Sequence, residues 1–355
     1  MREVVQNGEK VTDPHLDLTV EEGIWGIAPF ITHLAKVKEK EYYLNPKLKL
    51  QTQTLFQMDF PDILMVPGIW ADFGSVVEPS AFGCEVVWFD RDAPYIKPAL
   101  DDVKDITKLK LPDPQKSGLM PKALEQYTYI WAHVDKKLVS NYGYLDGLAF
   151  CVGPVETAAL ILGYDKFLLL LYDNPDLAHK LLDLVTEGIM NWLKAQQRMN
   201  GKIKRLFVAD HMPTQVSSSH FEEFCLPYFR RIFQEFPQAV KLYHNEGNVS
   251  HILTKIPQIE ANIFHFGIAT KLNKTSPSIE DLKQAKKKIG KQICLMGNLD
   301  PLKELLNVDP EKVSALCRER IRYGAPCGGY LLSSAGGMAP GTPRRNIQAM
   351  LEATK

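Results

Sequence analysis

The sequence predicts an α/β fold, a (β/α)8 TIM-type barrel with an irregular N-terminal extension, and three observations carry that prediction. From Pro121 onward, short apolar runs alternate with amphipathic helical stretches, as βα units on a parallel sheet require. Counting two earlier runs, there are about eight strand candidates, which favours a closed barrel over an open doubly wound sheet. No GxGxxG follows the first strand, as an open dinucleotide-binding sheet would show. Residues 1–60 are then expected to form an extension packing on the barrel, and residues 61–355 the barrel itself.

The first hundred residues are irregular, with frequent aromatics and prolines up to Pro98. Asp62–Val66 (DILMV) and Glu85–Phe89 (EVVWF) stand out as strands, and Leu111–Pro114 (LPDP) is a break. The later strand candidates are Lys137–Tyr142, Arg205–Ala209, Val240–His244, Ile263–Phe266, Ile293–Met296 and Gly329–Leu332, all short and rich in β-branched or aromatic residues. The clearest helix opens at Asn174–Pro175, where Asn can cap and Pro suits the first helical position. It sets Leu177, Leu181, Leu182, Val185, Ile189, Trp192 and Leu193 on one stripe and ends at Gly201. Further helices are expected over Ser219–Phe236, Val249–Lys255, Ser278–Ile289 and Asp309–Tyr323.

With 355 residues, 45% apolar and 24% charged, the chain can bury a sizeable core, and a single barrel accommodates its length. Lys+Arg and Asp+Glu both total 42, so neither nucleic acid nor an anionic membrane, which need a basic excess, is expected as a partner. The run Lys286–Lys288 lies in a mixed-charge helical stretch and reads as a solvated face. The N-terminus has no apolar signal region. The longest apolar stretch, Gly147–Leu162, is interrupted by Gly153, Pro154 and Glu156 and is too short to span a bilayer. Six scattered cysteines (Cys84, Cys151, Cys225, Cys294, Cys317, Cys327) with no CxxC pair suggest reduced thiols, and a cytoplasmic protein is expected.

In a parallel barrel the chemistry sits at the C-terminal ends of the strands. The candidates are therefore the polar residues associated with each apolar run: Asp62, Asn141, Tyr142, Asp210, His211, His244, Asn245, Glu246, His265, Asn298, Asp300, Ser333 and Ser334. His244 and Glu246 are the sharpest pair. They stand at i and i+2 as a strand runs out, and period two sends both to one side. Such a pair can chelate a divalent metal or act as an acid/base pair; equally, the carboxylate can simply hold the ring. Zinc would need a third ligand, for which Asp210 is the nearest candidate, with His211 behind it. His265, between Phe264 and Phe266, is either a pocket residue or a satisfied core histidine. No GxSxG, Walker A or HExxH motif is present.

Gly297-Asn298-Leu299-Asp300-Pro301 resembles a motif of the uroporphyrinogen decarboxylase superfamily. So do Gly341-Thr342-Pro343, Tyr243-His244 followed by Gly247-Asn248, Phe224–Arg230 (FCLPYFR) and Asp62-Ile63-Leu64. The resemblance covers roughly residues 60–350 and implies a (β/α)8 barrel. One branch of the superfamily decarboxylates uroporphyrinogen without a cofactor; the other moves methyl groups to or from a corrinoid on a separate protein, usually with zinc. The decarboxylase branch uses an N-terminal arginine segment to hold its substrate's carboxylates. Here Arg2 is isolated, the next arginine is Arg91, and Gly336 stands where that branch has a histidine. Of its substrate residues only Asp62 persists. Thiol-methylating members of the other branch carry His-x-Cys where this chain reads His244-Asn245-Glu246, and a second Cys where it reads Ser333-Ser334-Ala335-Gly336-Gly337. Oxygen and nitrogen ligands leave a metal a harder Lewis acid than thiolates do, better matched to an oxygen leaving group.

The resemblance therefore implies the methyltransferase component of an O-demethylase. An aryl methyl ether of guaiacol type would give its methyl to Co(I) of a corrinoid on a separate protein. The implied residues are His244, Glu246 and Asp210 as acid/base set or zinc ligands, and Asp62, Tyr142, His265, Asn298 and Ser334 around the substrate. Aromatics of the first hundred residues (Trp25, Phe30, Phe60, Trp70, Phe73) would close an apolar pocket or belong to plain core. The expected partners are a corrinoid-binding protein and a small methyl donor, with a homodimer compatible. The chain shows no DxHxxG-type corrinoid loop of its own. The alternatives are uroporphyrinogen decarboxylation and a non-catalytic barrel that binds a corrinoid or tetrapyrrole.

Overall fold

The computed structural model describes residues 4–6, 9–11, 21–25, 28–142, 145–271 and 274–355, with side chains described from residue 28 onward except at 141 and 142. Eight parallel strands form the TIM-type barrel: β1 (Glu21–Trp25), β2 (Leu64–Val66), β3 (Leu148–Val152), β4 (Arg205–Ala209), β5 (Val240–Asn248), β6 (Ile263–Ile268), β7 (Cys294–Leu299) and β8 (Tyr330–Ser334). They hydrogen-bond in the order β2-β1-β8-β7-β6-β5-β4-β3.

Period two divides the strands into an inner and an outer face. Leu148, Phe150, Val152, Phe207, Ala209, Leu242, Ile263, Cys294, Met296 and Leu331 meet Val66 inside the barrel and fill it. The alternate positions Cys151, Leu206, Val208, Tyr243, Phe264, Leu295, Tyr330 and Leu332 pack outward into the shell of helices. Stepping two residues past Leu242 and Ile263 reaches His244 and His265, so the inner face changes from apolar plug to polar roof at one level.

Nine helices serve as landmarks: α1 (Pro46–Asp59), α2 (Met120–His133), α3 (Pro154–Leu162), α4 (Tyr164–Asp173), α5 (Pro175–Asn200), α6 (Leu226–Glu235), α7 (Ile279–Ile289), α8 (Pro310–Gly324) and α9 (Arg344–Ala353). The Asn174 side chain accepts from Leu177 N at 3.1 Å and Pro175 opens α5, as the sequence predicts. Asn45 and Pro46 open α1 in the same way. Among the described residues no helix is long and apolar enough to cross a membrane.

The expected strands Arg205–Ala209, Val240–His244, Ile263–Phe266, Ile293–Met296 and Gly329–Leu332 all fall in the barrel. Asp62–Val66 shortens to β2, Leu64–Val66. Two expectations are corrected. Glu85–Phe89 supplies Glu85–Val87 to an antiparallel hairpin with Tyr95–Lys97 outside the barrel; a short turn returns the chain beside itself, where a parallel neighbour needs a long crossover. Lys137–Tyr142 lies in the helix Lys136–Tyr142, opened by Asp135, whose carboxylate accepts from Lys137 N at 2.8 Å. Their places in the barrel are taken by β3, inside the long apolar stretch, and by β1, drawn from the segment expected to be an extension. The Val249–Lys255 helix is displaced to a 3-10 segment, Leu253–Ile259.

Between β2 and β3 the barrel has a seam sealed by side chains. Gln196 of α5 accepts from Phe150 N (3.0 Å) and donates to Phe150 O (2.8 Å), and Asn200 donates to Leu148 O (3.0 Å). Glu78, from the short helix Val77–Ala81, accepts from Val152 N at 3.2 Å. After β2, Gln53 of α1 brackets Trp70 N and O at 3.1 Å each. Each bond satisfies a buried main-chain group that a ladder would otherwise serve.

Candidate active site

Parallel pairing sets Ala209, His244 and His265 side by side at the mouth of the barrel. His244 Nδ1 lies 2.8 Å from His265 Nδ1, and His265 Nε2 lies 2.9 Å from Ser334 O. A carbonyl only accepts, so His265 donates through Nε2 and accepts at Nδ1; His244 then donates from Nδ1, and its Nε2 is an acceptor while the ring is neutral. Burial, with His265 and His211 nearby, holds the His244 pKa well below the usual 6.5. Burial also lowers His265, to about 4.

A cavity of about 240 Å³ opens above this pair. Its wall includes Tyr43, Trp70, Phe150, His211, His244, Asp72 and Glu246; among the described residues no lysine or arginine lines it. Trp70 and Phe150 pack with ring centroids 4.4 Å apart, and the His211 ring stands edge-on to His244 at 5.2 Å. Glu246, exposed at the end of β5, accepts from Gly337 N at 3.3 Å. A β-carbon at Gly336 would meet the Glu246 carboxylate, so a larger residue there would have to push that carboxylate aside. Glu246 and Gly337 also border a second cavity of about 450 Å³, walled by residues 275–277, 300–303 and 335–340.

The expected residues divide. His244 and Glu246 reach one cavity, and His265 lies beneath His244 as its hydrogen-bond partner. Asp210 does not join them. Its carboxylate is fully buried and accepts from Val155 N (2.9 Å), Glu156 N (3.1 Å) and Met212 N (3.2 Å), so it anchors the start of α3. Burial and the neighbouring Glu156 push its pKa up, against those three donors. His211, the residue behind it in the sequence reading, is the one that faces the cavity.

Asp62 is exposed and precedes β2, placing it at the N-terminal rim, opposite the mouth. Asn298 is buried and donates to Gly267 O (3.1 Å) and Ser278 O (3.0 Å), tying β7 to β6 and to the start of α7. Ser334 is buried and donates to Gly336 O, while its own carbonyl serves His265. The side chains of Tyr142 and Trp25 lie outside the described residues. Of the remaining aromatics, Trp70 lines the cavity, whereas Phe30, Phe60 and Phe73 are core. For zinc, among the described residues no three His, Cys, Asp or Glu side chains converge as ligands. With Asp210 spent on main-chain amides, the set His244, Glu246 and Asp210 does not fit the metal.

Asp72 also lines the cavity, and the sequence pattern does not mark it out. It is buried, its Oδ2 accepts from Tyr42 O–H (3.0 Å) and its Oδ1 from Gly74 N (2.8 Å). Burial raises its pKa, while Lys49, Gly74 and Tyr42 oppose the rise. The signal is a lone charged residue in the run Ile63–Val77, where Ser75 is the one other polar side chain.

Similarity to known proteins agrees with this architecture. A methylated-thiol–coenzyme M methyltransferase of Methanosarcina mazei is 26% identical over 287 residues, covering 80% of this chain and 71% of that protein. A uroporphyrinogen decarboxylase of Methylibium petroleiphilum is 25% identical, covering 78% of this chain and 73% of its own length. The solved structure of a methyltransferase from Methanosarcina mazei superposes with a TM-score of 0.74 at 20% identity, covering 98% of this chain and 95% of that one. The family model for uroporphyrinogen decarboxylase (URO-D) matches residues 31–355, all but the first thirty residues, and the chain belongs to that family.

Proposed function

We propose that this chain is a methyltransferase that moves the methyl group of an aryl methyl ether, of guaiacol type, to Co(I) of a corrinoid carried by a separate protein. The observation that carries the reading is the cavity wall, aromatic and acidic and, among the described residues, with no lysine or arginine. A flat arene suits it. A porphyrinogen bearing eight carboxylates would meet Asp72 and Glu246, with no cation among the described wall residues to pair it. The methyltransferase among the relatives supports the same branch. The corrinoid supplies the nucleophile that takes the methyl carbon; the chain's own task is to hold the ether, exclude water and manage the proton at the leaving oxygen.

Phenol has a pKa near 10, so the departing phenolate needs a proton. His244 is the group for it. In demethylation its imidazolium gives a proton to the oxygen, and in the reverse direction Nε2 takes that proton back. His265 and Ser334 O hold the ring in place for both. Because His244 is held well below 6.5, demethylation should quicken as pH falls and the reverse reaction as pH rises. A demethylation rate that stays level from about pH 8 to pH 5 would take this role from His244.

The direct test mixes the purified protein with cob(I)alamin and guaiacol and follows methylcobalamin by absorbance. Methylcobalamin is expected; no transfer from any methoxyarene, methylamine or betaine would remove the methyltransferase reading. Carbon dioxide release from uroporphyrinogen would favour decarboxylation instead, and tight tetrapyrrole binding without turnover a non-catalytic barrel.

A further inference from the structure

Resting on the reading of this mouth as a methyltransferase site, we infer that the cavity also takes methylated ammonium cations as methyl donors. The aromatic residues Tyr43, Trp70 and Phe150 share the cavity wall with Asp72 and Glu246. Aromatic residues and acids around one cavity are the two features that attract a quaternary ammonium group, which offers no hydrogen-bond donor and is recognised by charge and π-face. Asp72 is fixed as an acceptor, since Tyr42 O–H and Gly74 N both donate to it. The nearby cation, Lys49, is outside the wall: its Nζ donates to Tyr43 O (3.1 Å) and to Gln126 Oε1, and stands 4.1 Å from the centre of the Phe73 ring.

The chemistry suits the site as well. When Co(I) of the corrinoid attacks an N-methyl carbon, a cobalt–carbon bond forms from the cobalt electron pair and the carbon–nitrogen bond breaks. The bonding pair stays on nitrogen, which leaves as a neutral tertiary amine, and cobalt passes formally from Co(I) to Co(III). No proton moves, so this donor class asks nothing of His244, whereas a phenolate needs its proton.

The test compares choline with 3,3-dimethylbutan-1-ol, which has the same shape but no charge. Choline is expected to bind the full-length protein about 30-fold more tightly. With cob(I)alamin it should yield dimethylaminoethanol and methylcobalamin in equal amounts. Equal binding of the two alcohols overturns the inference, and so does tight binding without dimethylaminoethanol. If guaiacol is demethylated and choline is not, the inference falls and the aryl ether reading stands; if choline alone reacts, the inference stands and the aryl ether falls. Asp72→Asn should lower kcat/KM for choline about tenfold more than for guaiacol; an equal loss for both would remove Asp72 from cation recognition.

Discussion

From β3 round through β8 to β2, neighbouring strands are joined by main-chain ladders, whereas between β2 and β3 Gln196, Asn200 and Glu78 meet the free edge of β3. Both arrangements satisfy buried peptide groups, but they fail differently. A ladder spreads its bonds along the backbone, so no one side chain is essential to it. At the seam a single glutamine serves both polar groups of one residue, and a single carboxylate serves another. The site exploits the laddered flank for precision, taking His244 and His265 from adjacent strands, and the seam flank for shape, taking Trp70, Asp72 and Phe150 from beside the gap.

The sharpest break of this contrast would be a side chain on the laddered flank that matters more than any at the seam, and Asp210 is that exception. Asp210→Ala strands three buried amides and should cost about 6 kcal/mol, comparable with the whole stability of a domain, read by chemical denaturation. Near-native stability with lost activity would instead return Asp210 to the catalytic set. At the seam, burial raises the Glu78 pKa to about 8, from 4.5. Its folded form thus holds a proton that its unfolded form releases, so its contribution is complete below about pH 4.5 and falls by about 1.4 kcal/mol per pH unit up to about pH 8. Glu78→Gln should flatten that part of the stability–pH curve; an unchanged slope would refute the assignment. Gln196→Leu leaves Phe150 N and O unmet and should cost about 3 kcal/mol in urea unfolding. Tyr330→Phe, which loses one bond to Gly297 O on the laddered flank, should cost about 1 kcal/mol; a loss as large as that of Gln196→Leu would erase the distinction.

The same contrast separates what the sequence reveals from what it hides. Laddered strands such as Arg205–Ala209 and Ile263–Ile268 are short apolar runs between helices, and their order alone gives the barrel. The two unrecognised strands lie at or beside the seam. Leu148–Val152 runs through Gly153 into α3 within one apolar stretch, where periodicity cannot tell strand from helix. Glu21–Trp25 opens with two glutamates and reads as polar. In the site, His244 and Glu246 are legible because one strand carries both at period two. Asp72 and His211 lie on loops after their strands, where no periodicity says which way a side chain turns. Asp210 shows the limit of the strand-end rule, because a buried carboxylate that serves amides looks, in sequence, like one that serves chemistry.

Gly336 and Glu246 constrain each other as partners in inheritance. The glutamate occupies the space that any side chain at 336 would need, and the decarboxylase branch is expected to place a histidine there. A side chain gained at 336 would therefore displace the Glu246 carboxylate from its place beside Gly337 N, so a lineage that acquired the imidazole would re-aim the acid in the same step.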